Sequence, residues 1–174
     1  MTIRHTLRFC LFLTLTILAA VSDDAYAAVR RGQKSFGPSV GYVSRNRSAY
    51  ASLNFEYAFS SHVRIAPEVG VIFRNRDLDG LNAGVNVHFP ISFSSGRMAV
   101  YPLVGLNLTS WGRHGRNEAD DKDVTTHTSR MGLNMGAGLE LDCTSSLRLR
   151  LEGRYSLMEH YPTAFATVGI AYVF

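Results

Sequence analysis

Residues 147–157 read LRLRLEGRYSL, in which leucine or tyrosine occupies almost every second position and arginine, glutamate or serine most of the positions between. The side chains of a β-strand point alternately to its two faces, so this period gives one apolar and one polar face. A helix, which repeats every ~3.6 residues, would scatter the same residues around its whole surface. The segment therefore predicts a β-strand with an apolar face and a charged face.

The same alternation recurs in seven other segments of the chain. Each contains ten or more residues, about the length that a tilted strand needs to cross a bilayer. The sequence therefore predicts an all-β domain over 35–174, an eight-stranded antiparallel up-and-down transmembrane β-barrel. The seven further segments are 35–44, 48–59, 63–74, 80–91, 97–110, 130–142 and 163–174.

The links between the predicted strands differ in length and composition. Three of them, 60–62, 92–96 and 143–146, are short and rich in serine and glycine, whereas the long link 111–128 carries many charges. Short periplasmic turns and longer external loops are typical of outer-membrane barrels. This pattern places both ends of the barrel domain on the periplasmic side and the long link outside the cell.

The first residues have the features of an export signal. Two arginines precede a mainly apolar run of thirteen residues, 9–21, and small residues lead to Ala25-Tyr26-Ala27, which has the pattern of a cleavage site. The run is shorter than the ~20 residues that a membrane-spanning helix needs. We therefore expect 1–27 to be a signal peptide and 28–34 a short periplasmic segment before the barrel. An uncleaved membrane anchor is the alternative.

Cysteine and histidine usage argues against a metal site. After cleavage Cys143 would be the only cysteine, so neither an intrachain disulfide nor a cysteine-based metal site is expected. His62, His88 and His160 lack the spacing of metal ligands. We predict no metal, no cofactor and no nucleic-acid partner, and we expect the barrel to be a monomer.

The polar faces of the predicted strands carry five basic and five acidic residues. Enclosed charges need partners, because burying an isolated ion is costly. The same faces are rich in glycine and asparagine, which fit the narrow lumen of eight strands. We therefore expect the polar faces to line the lumen, with the charges forming a structural network in which neighbours such as Arg150 and Glu152 interact. The ten residues are Arg64, Arg130, Arg148, Arg150, Arg154, Glu56, Glu68, Glu140, Glu152 and Asp142.

Aromatic residues lie near the two ends of the apolar faces. Such positions correspond to the aromatic girdles that membrane proteins place at the bilayer interfaces. The apolar faces are therefore expected to contact lipid. The aromatics are Phe36, Tyr57, Phe59, Phe89, Tyr172 and Phe174 at the periplasmic end, and Tyr42, Phe73 and Tyr155 towards the other.

The chain ends in a run of aliphatic or aromatic residues at alternating positions before a terminal phenylalanine, VGIAYVF over 168–174. This run resembles the C-terminal assembly signal of outer-membrane barrels. The chain after residue 27 resembles the small eight-stranded outer-membrane barrels, the OmpX/Ail-like group and the membrane domain of OmpA. The resemblance implies that the barrel-assembly machinery recognises Val168, Ile170, Tyr172 and Phe174. It implies no particular activity, since this fold carries adhesins, structural proteins, enzymes and pores.

The candidate residues for an enzymatic function are the stretch His127-Thr128-Ser129 together with Glu140. A lipid A deacylase would use such residue types in a triad. Ser129 and Glu140 belong to one predicted strand, however, and lie roughly 36 Å apart at ~3.3 Å per residue, too far for a triad. We predict no catalytic residues and no enzyme activity. A lipid A-modifying enzyme and a narrow pore are the alternatives.

Surface contact is the leading hypothesis. The link 111–128 lacks a core-forming pattern, so we expect a mobile external loop that binds host or cell-surface ligands. The barrel would then support envelope integrity or adhesion, in contact with outer-membrane lipid and lipopolysaccharide. Six arginines at the predicted external end could bind lipopolysaccharide phosphates, because arginine pairs well with phosphate. They are Arg45, Arg47, Arg74, Arg76, Arg113 and Arg116.

Overall fold

The computed structural model describes residues 29–75, 77–93, 97–117 and 122–174, and it describes side chains in these ranges except for 116–117 and 122–125. The predicted signal peptide, 1–27, lies outside the described residues. No helix among the described residues is long and apolar enough to cross a membrane.

The described chain forms one antiparallel sheet that closes on itself. In spatial order its strands run β4-β3-β2-β1-β9-β8-β7-β6-β5, and β4 also pairs with β6, which closes the barrel. The strands are β1 (Lys34–Val43), β2 (Ser48–Ala58), β3 (Arg64–Asn75), β4 (Leu78–His88), β5 (Ile91–Phe93), β6 (Met98–Asn117), β7 (Lys122–Asp142), β8 (Leu147–Met158) and β9 (Thr163–Val173).

The short strand β5 continues the line of β4, because both pair with β6. The interruption falls at Phe89 and Pro90, and a proline cannot donate to the hydrogen-bond ladder of a sheet. The backbone N–H of Phe89 donates to the carbonyl of Pro102 at 3.0 Å and bridges the gap. With β4 and β5 counted as one, the barrel has eight strands, which confirms the predicted fold.

The polar faces of the strands line the lumen, and the apolar faces point outwards. On β8, Arg148 and Arg150 are 2% and 5% exposed, whereas Leu149 and Leu151 are 38% and 57% exposed. An exposed band of this kind is stable only where lipid covers it. The structure therefore has the arrangement of a transmembrane barrel, the reverse of a soluble one.

The prediction of an irregular loop over 111–128 is wrong. Strands β6 and β7 pair in an unbroken register from Met98 opposite Leu141 to Asn117 opposite Lys122. The stretch 124–128 reads VTTHT, and β-branched residues favour strands. The predicted loop is thus a long hairpin that continues the barrel wall beyond the neighbouring strands.

The segment before β1 lies against the end of the barrel at which the chain enters β1, the end predicted to be periplasmic. The N–H of Gly32 donates to the carbonyl of Ala58 at 2.8 Å, and the N–H of Ala58 donates to the carbonyl of Gln33 at 2.9 Å. Val29 is 1% exposed. These contacts hold residues 29–33 beside the end of β2.

Candidate functional site: the lumen and its external mouth

A cluster of ion pairs fills the periplasmic half of the lumen. The carboxylate of Glu56 binds the guanidinium groups of Arg64, at 3.2 Å, and Arg150. Arg64 also binds Glu140, whose carboxylate lies 3.4 Å from Arg148. These side chains are at most 6% exposed, so each would be costly to bury without its partners.

A second cluster lies nearer the external end. The Arg154 guanidinium donates to Glu68 at 2.9 Å and to Glu152 at 3.2 Å. The hydroxyl of Tyr50 donates to Glu68 at 2.5 Å, and that of Tyr101 donates to Glu152 at 3.0 Å. Charge-assisted hydrogen bonds to hydroxyl groups complete the pairing of both carboxylates.

The structure brings nine of the ten predicted lumen charges into ion pairs, the ninth being Asp142, which binds Arg148 at 2.6 Å. Arg150 and Glu152 form no direct ion pair, because Arg150 binds Glu56 and Glu152 binds Arg154. Arg130 lies at the external end and takes part in neither cluster, so its placement in the network was wrong.

Two glycines on the inner face make room for the lumen tyrosines. A Cβ atom at Gly70 would collide with the ring of Tyr50, and one at Gly138 would collide with the ring of Tyr101. Each tyrosine ring therefore lies over a position of the neighbouring strand that has no side chain.

Amide and hydroxyl side chains connect strands above the charges. Asn107 donates to Asn82 at 3.0 Å, and Thr109 donates to the same oxygen at 2.9 Å. Ser156 donates to Asn107 at 2.9 Å, and Asn134 is also within hydrogen-bond distance of Ser156. This layer is polar, yet its members are almost fully buried and satisfy one another.

An apolar plug closes the lumen at the external end. Its centre is Trp111, which is 1% exposed and stacks on Tyr161 with ring centroids 6.2 Å apart. The guanidinium carbon of Arg45 lies 4.1 Å from the centre of the Tyr161 ring, a cation–π contact. The buried members of the plug are Val43, Tyr50, Ile72, Trp111, Met158 and Phe165.

The residues tested for an enzymatic function do not form a site. His127 and Ser129 lie on the outward face of β7, and both are exposed. Glu140 lies on the inward face of the same strand, bound to Arg64. Among the described residues there is also no group of three histidine, cysteine, aspartate or glutamate side chains that could hold a metal.

Two external turns are held together by asparagine side chains. The amide of Asn75 donates to the carbonyl oxygens of Asn46 and Arg47, both at 2.9 Å. The amide of Asn46 donates to the carbonyl of Leu78 at 3.0 Å. The β1–β2 turn is thereby fixed beside the β3–β4 turn.

The predicted rim arginines are distributed over these turns and the hairpin. Arg45, Arg47, Arg74 and Arg113 are exposed, and Arg74 binds Asp77 at 3.1 Å. Arg76 lies outside the described residues, and the side chain of Arg116 is not described. Exposed guanidinium groups thus surround the external end of the barrel.

One edge of the projecting hairpin has no partner strand. β8 pairs with β7 only from Gly132 onwards, so residues 122–131 of β7 pair with β6 alone among the described residues. At ~3.3 Å per residue this leaves roughly 30 Å of strand edge unpaired.

Residues 13–174 match the family model of the outer membrane protein beta-barrel domain. The chain belongs to this family. Its place is therefore the outer membrane, which confirms the predicted localisation and the resemblance to small outer-membrane barrels.

Solved bacterial barrels share this fold. The N-terminal β-barrel domain of Pseudomonas aeruginosa OprF matches with a TM-score of 0.63 and 14% identity, over 83% of this chain and 98% of that one. Ail, the attachment invasion locus protein of Yersinia pestis, matches with a TM-score of 0.60 and 16% identity, over 83% of this chain and 99% of that one. Neisserial surface protein A matches with a TM-score of 0.63 and 13% identity, over 80% of this chain and 95% of that one. At such low identity the likeness concerns the fold alone.

A curated protein also matches part of the chain. A type 2 glycosyltransferase of Pyricularia oryzae is 36% identical over 109 residues, which are 62% of this chain and 20% of that protein. The chain thus spans about a fifth of the curated protein that it matches. So short a part carries no assignment of transferase activity to this outer-membrane barrel.

Proposed function

We propose that this barrel is a non-enzymatic outer-membrane protein that contacts a partner at the cell surface through the β6–β7 hairpin. The lumen provides a rigid anchor of paired charges, and the hairpin carries the contact surface away from the membrane. Rigid scaffolds that present binding residues on a projecting segment are common among binding proteins.

The observation that carries this proposal is the unpaired edge of β7. At the other end of β7, the N–H of Asp142 donates to the carbonyl of Arg97 at 2.8 Å, on the β6 side, and the N–H of Cys143 donates to the carbonyl of Leu147 at 2.9 Å, on the β8 side. Even-numbered residues thus direct their N–H groups to β6, and odd-numbered residues direct theirs to the opposite side. Since the register of β7 with β6 has no shift, the odd-numbered residues of the unpaired stretch direct their N–H and C=O groups to the free edge. His127 is one of these residues, and Thr128 is not.

A free edge with unpaired backbone groups can accept an extended peptide as an additional strand. The stretch TTHTS over 125–129 contains no proline and no lysine, residues that commonly block such pairing. An extended segment of a partner protein therefore fits this edge.

The exposed rim arginines suit anionic groups of the surroundings, including lipopolysaccharide phosphates. Ail, which shares the fold, has been solved in complex with the heparin analogue sucrose octasulfate. We extend to this chain only the binding of an anionic group, and we assign it to the exposed arginines of the external end.

A narrow pore is the less favourable alternative. The plug around Trp111 and the two charge clusters occupy the lumen, and an eight-stranded barrel leaves little further room. For a lipid-modifying enzyme, the tested histidine and serine lie on the face of β7 opposite to the carboxylate. Surface contact therefore has the better support.

Two neighbouring proline substitutions test the edge. His127→Pro removes an N–H that points to the free edge, whereas Thr128→Pro removes one that pairs with β6. Cells carrying the parent or either variant would be assayed for binding to cultured cells and to immobilised serum proteins. Heat-modifiable migration of the purified barrels would check folding.

We expect His127→Pro to fold like the parent and to lose most of the binding. His127→Ala is the matched control and should bind normally, because it keeps the backbone donor. Thr128→Pro should loosen the hairpin itself. Undiminished binding by a folded His127→Pro barrel would remove strand addition at this edge as the contact.

A further inference from the structure

Two nitrogen donors at the external end of the lumen have no hydrogen-bond partner. The indole Nε1 of Trp111 is buried and unpaired, and Trp111 is 1% exposed. The Nε of Arg130, whose side chain is half-buried, is likewise buried and unpaired. Buried donors are rarely left without an acceptor, because the loss of water is then uncompensated.

The two donors belong to one surface. Thr109 is opposite Arg130 and Trp111 is opposite Thr128 in the β6–β7 register. Trp111 and Arg130 are thus diagonal neighbours on adjacent strands, on the face that points into the mouth of the barrel. Diagonal pairs of this kind lie roughly 7–8 Å apart at their backbones, within reach of long side chains.

Arg130 differs from the other arginines of the lumen. Arg64, Arg148, Arg150 and Arg154 each bind a carboxylate, although the Nε atoms of Arg64 and Arg154 are also unpaired. No carboxylate of the described residues forms an ion pair with Arg130. A half-buried guanidinium without a counter-ion is a costly arrangement unless a ligand supplies one.

Two further arginines lie near this position. Arg113 is two residues beyond Trp111 on β6 and therefore lies on the same, inward face of the strand. Arg45 lies over the ring of Tyr161, which stacks on the indole. The three carboxylates that the structure describes near this end of the barrel have partners of their own. Asp77 binds Arg74, Asp79 binds His114 at 2.9 Å, and the exposed Glu159 lies 3.7 Å from His160.

We propose that the external mouth of the barrel binds a phosphate or sulfate group, with Arg130 as the counter-ion and the Trp111 indole as a second donor. Guanidinium groups bind tetrahedral oxyanions through paired N–H donors. Arg113 and Arg45 add positive charge around the entrance. The Arg45–Tyr161 pair covers the indole, so it must move aside when the anion enters.

The position of the site restricts the source of the anion. The donors lie on the lumen side of the barrel wall, whereas outer-leaflet lipid contacts the opposite side. The ligand is therefore a soluble phosphate or sulfate ester, or the free ion, from the external medium. This inference is distinct from strand addition at the β7 edge, because the Arg130 side chain faces the lumen whereas strand addition uses the backbone N–H and C=O groups of the odd-numbered residues of β7.

Trp111 is the only tryptophan of the chain, so its emission reports directly on this position. The full-length protein, purified from outer membranes in a zwitterionic detergent, would be titrated with sodium phosphate and with sodium sulfate. Sodium chloride at equal ionic strength controls for screening. Purified lipopolysaccharide is the separate arm that distinguishes a lipid-borne phosphate from a soluble one.

We expect saturable changes in emission with phosphate or sulfate and none with chloride. Arg130→Gln should weaken binding by about ten- to a hundredfold, the range of a charge-assisted hydrogen bond. Arg97→Gln, an exposed change at the periplasmic end, should have no effect. Trp111→Phe keeps an aromatic ring without the N–H, and calorimetry should show weaker binding of the same anion.

The proposal is overturned if the parent protein shows no saturable change with either anion. It is equally overturned if Arg130→Gln binds like the parent, or if lipopolysaccharide alone gives the signal. Should Arg130→Gln fail to fold, Arg130→Lys replaces it. That variant keeps a positive charge but loses the forked donor geometry, so binding weaker than the parent's supports the site and unchanged binding contradicts it.

Discussion

The guanidinium of Arg150 binds the carboxylate of Glu56, which lies 94 residues away in the chain, on β2. Glu152, two residues from Arg150 on the same face of β8, instead binds Arg154 and accepts a hydrogen bond from Tyr101. Three pairs, Arg150–Glu56, Arg64–Glu140 and Arg154–Glu68, therefore join strands across the barrel, whereas Glu152–Arg154 lies along β8. This arrangement ties strands that are not neighbours in the sheet.

A double-mutant cycle of Arg150→Leu and Glu56→Gln measures this relationship. Breaking a buried ion pair typically costs ~3–5 kcal/mol, because one charge is left without its partner. We expect each single change to lower the free energy of unfolding of the barrel in detergent by up to that amount. The double variant should lose clearly less than the sum of the two, as judged from urea unfolding followed by tryptophan emission.

The matched control for this cycle pairs Arg150→Leu with Glu152→Gln. Because Arg150 and Glu152 form no direct ion pair, their coupling should be clearly smaller than that of Arg150 with Glu56. The opposite outcome, strong coupling to Glu152 and none to Glu56, would mean that Arg150 pairs along its strand rather than across the lumen.

The terminal residue gives a second prediction. Phe174 is 59% exposed, so its ring contributes little to packing inside the protein. Its backbone closes the barrel, since the N–H of Phe174 and that of Lys34 donate to each other's carbonyl at 2.9 Å. Phe174→Ala keeps these bonds and should lower the amount of protein in the outer membrane several-fold while leaving refolding in detergent unchanged.

The control for the terminal residue is Phe59→Ala, because Phe59 is 55% exposed at the same end of the barrel. It should leave both the membrane level and refolding nearly unchanged. A parallel fall of membrane level and detergent refolding in Phe174→Ala would assign this residue to stability rather than to recognition by the assembly machinery.

Most of the barrel could be predicted because a strand with one lipid face and one lumen face must alternate along its whole length. The alternation of β8 fixes the orientation of Arg150, yet it cannot fix its partner. Which residues meet across a lumen depends on the tilt of the strands and the stagger between them. The alternation along a single strand contains neither the tilt nor the stagger, so it could not identify Glu56 as the partner of Arg150.

The external end was predicted less well, for a different reason. Phe165 and Ile72 lie on the inner faces of β9 and β3, whose other residues are mostly polar or small, so binary patterning gives no sign of an apolar plug. The glycine, asparagine and charged residues of the hairpin predict irregular structure. Continued pairing with a neighbouring strand outweighs these local preferences.

Closure of the lumen leads to a third prediction. The plug and the two charge clusters fill the interior, so the purified barrel should give no steady single-channel current in planar bilayers. Opening the plug with Phe165→Ala and Trp111→Ala should increase the rate of ion leakage but leave the charge clusters in place. Stable conductance steps of the parent barrel would contradict a filled lumen and favour the pore.

The last prediction concerns Arg47 and Arg74, which the amides of Asn46 and Asn75 hold on two adjacent turns. We expect turns fixed in this way to present their guanidinium groups at the level of the outer-leaflet headgroups. We expect Arg47→Gln with Arg74→Gln to weaken the association of the purified barrel with lipopolysaccharide, measured by co-sedimentation at low ionic strength. Because exposed charges are screened by salt, the difference from the parent should shrink in high salt.

The matched control is Arg31→Gln with Arg97→Gln, which removes two exposed arginines from the periplasmic end. It changes the net charge by the same amount, so it separates position from total charge. If both double variants bind lipopolysaccharide more weakly to the same degree, overall charge governs the association. If only the external pair matters, Asn75→Ala, which frees the two turns from each other, should weaken binding as well, because the arginines then lose their fixed spacing.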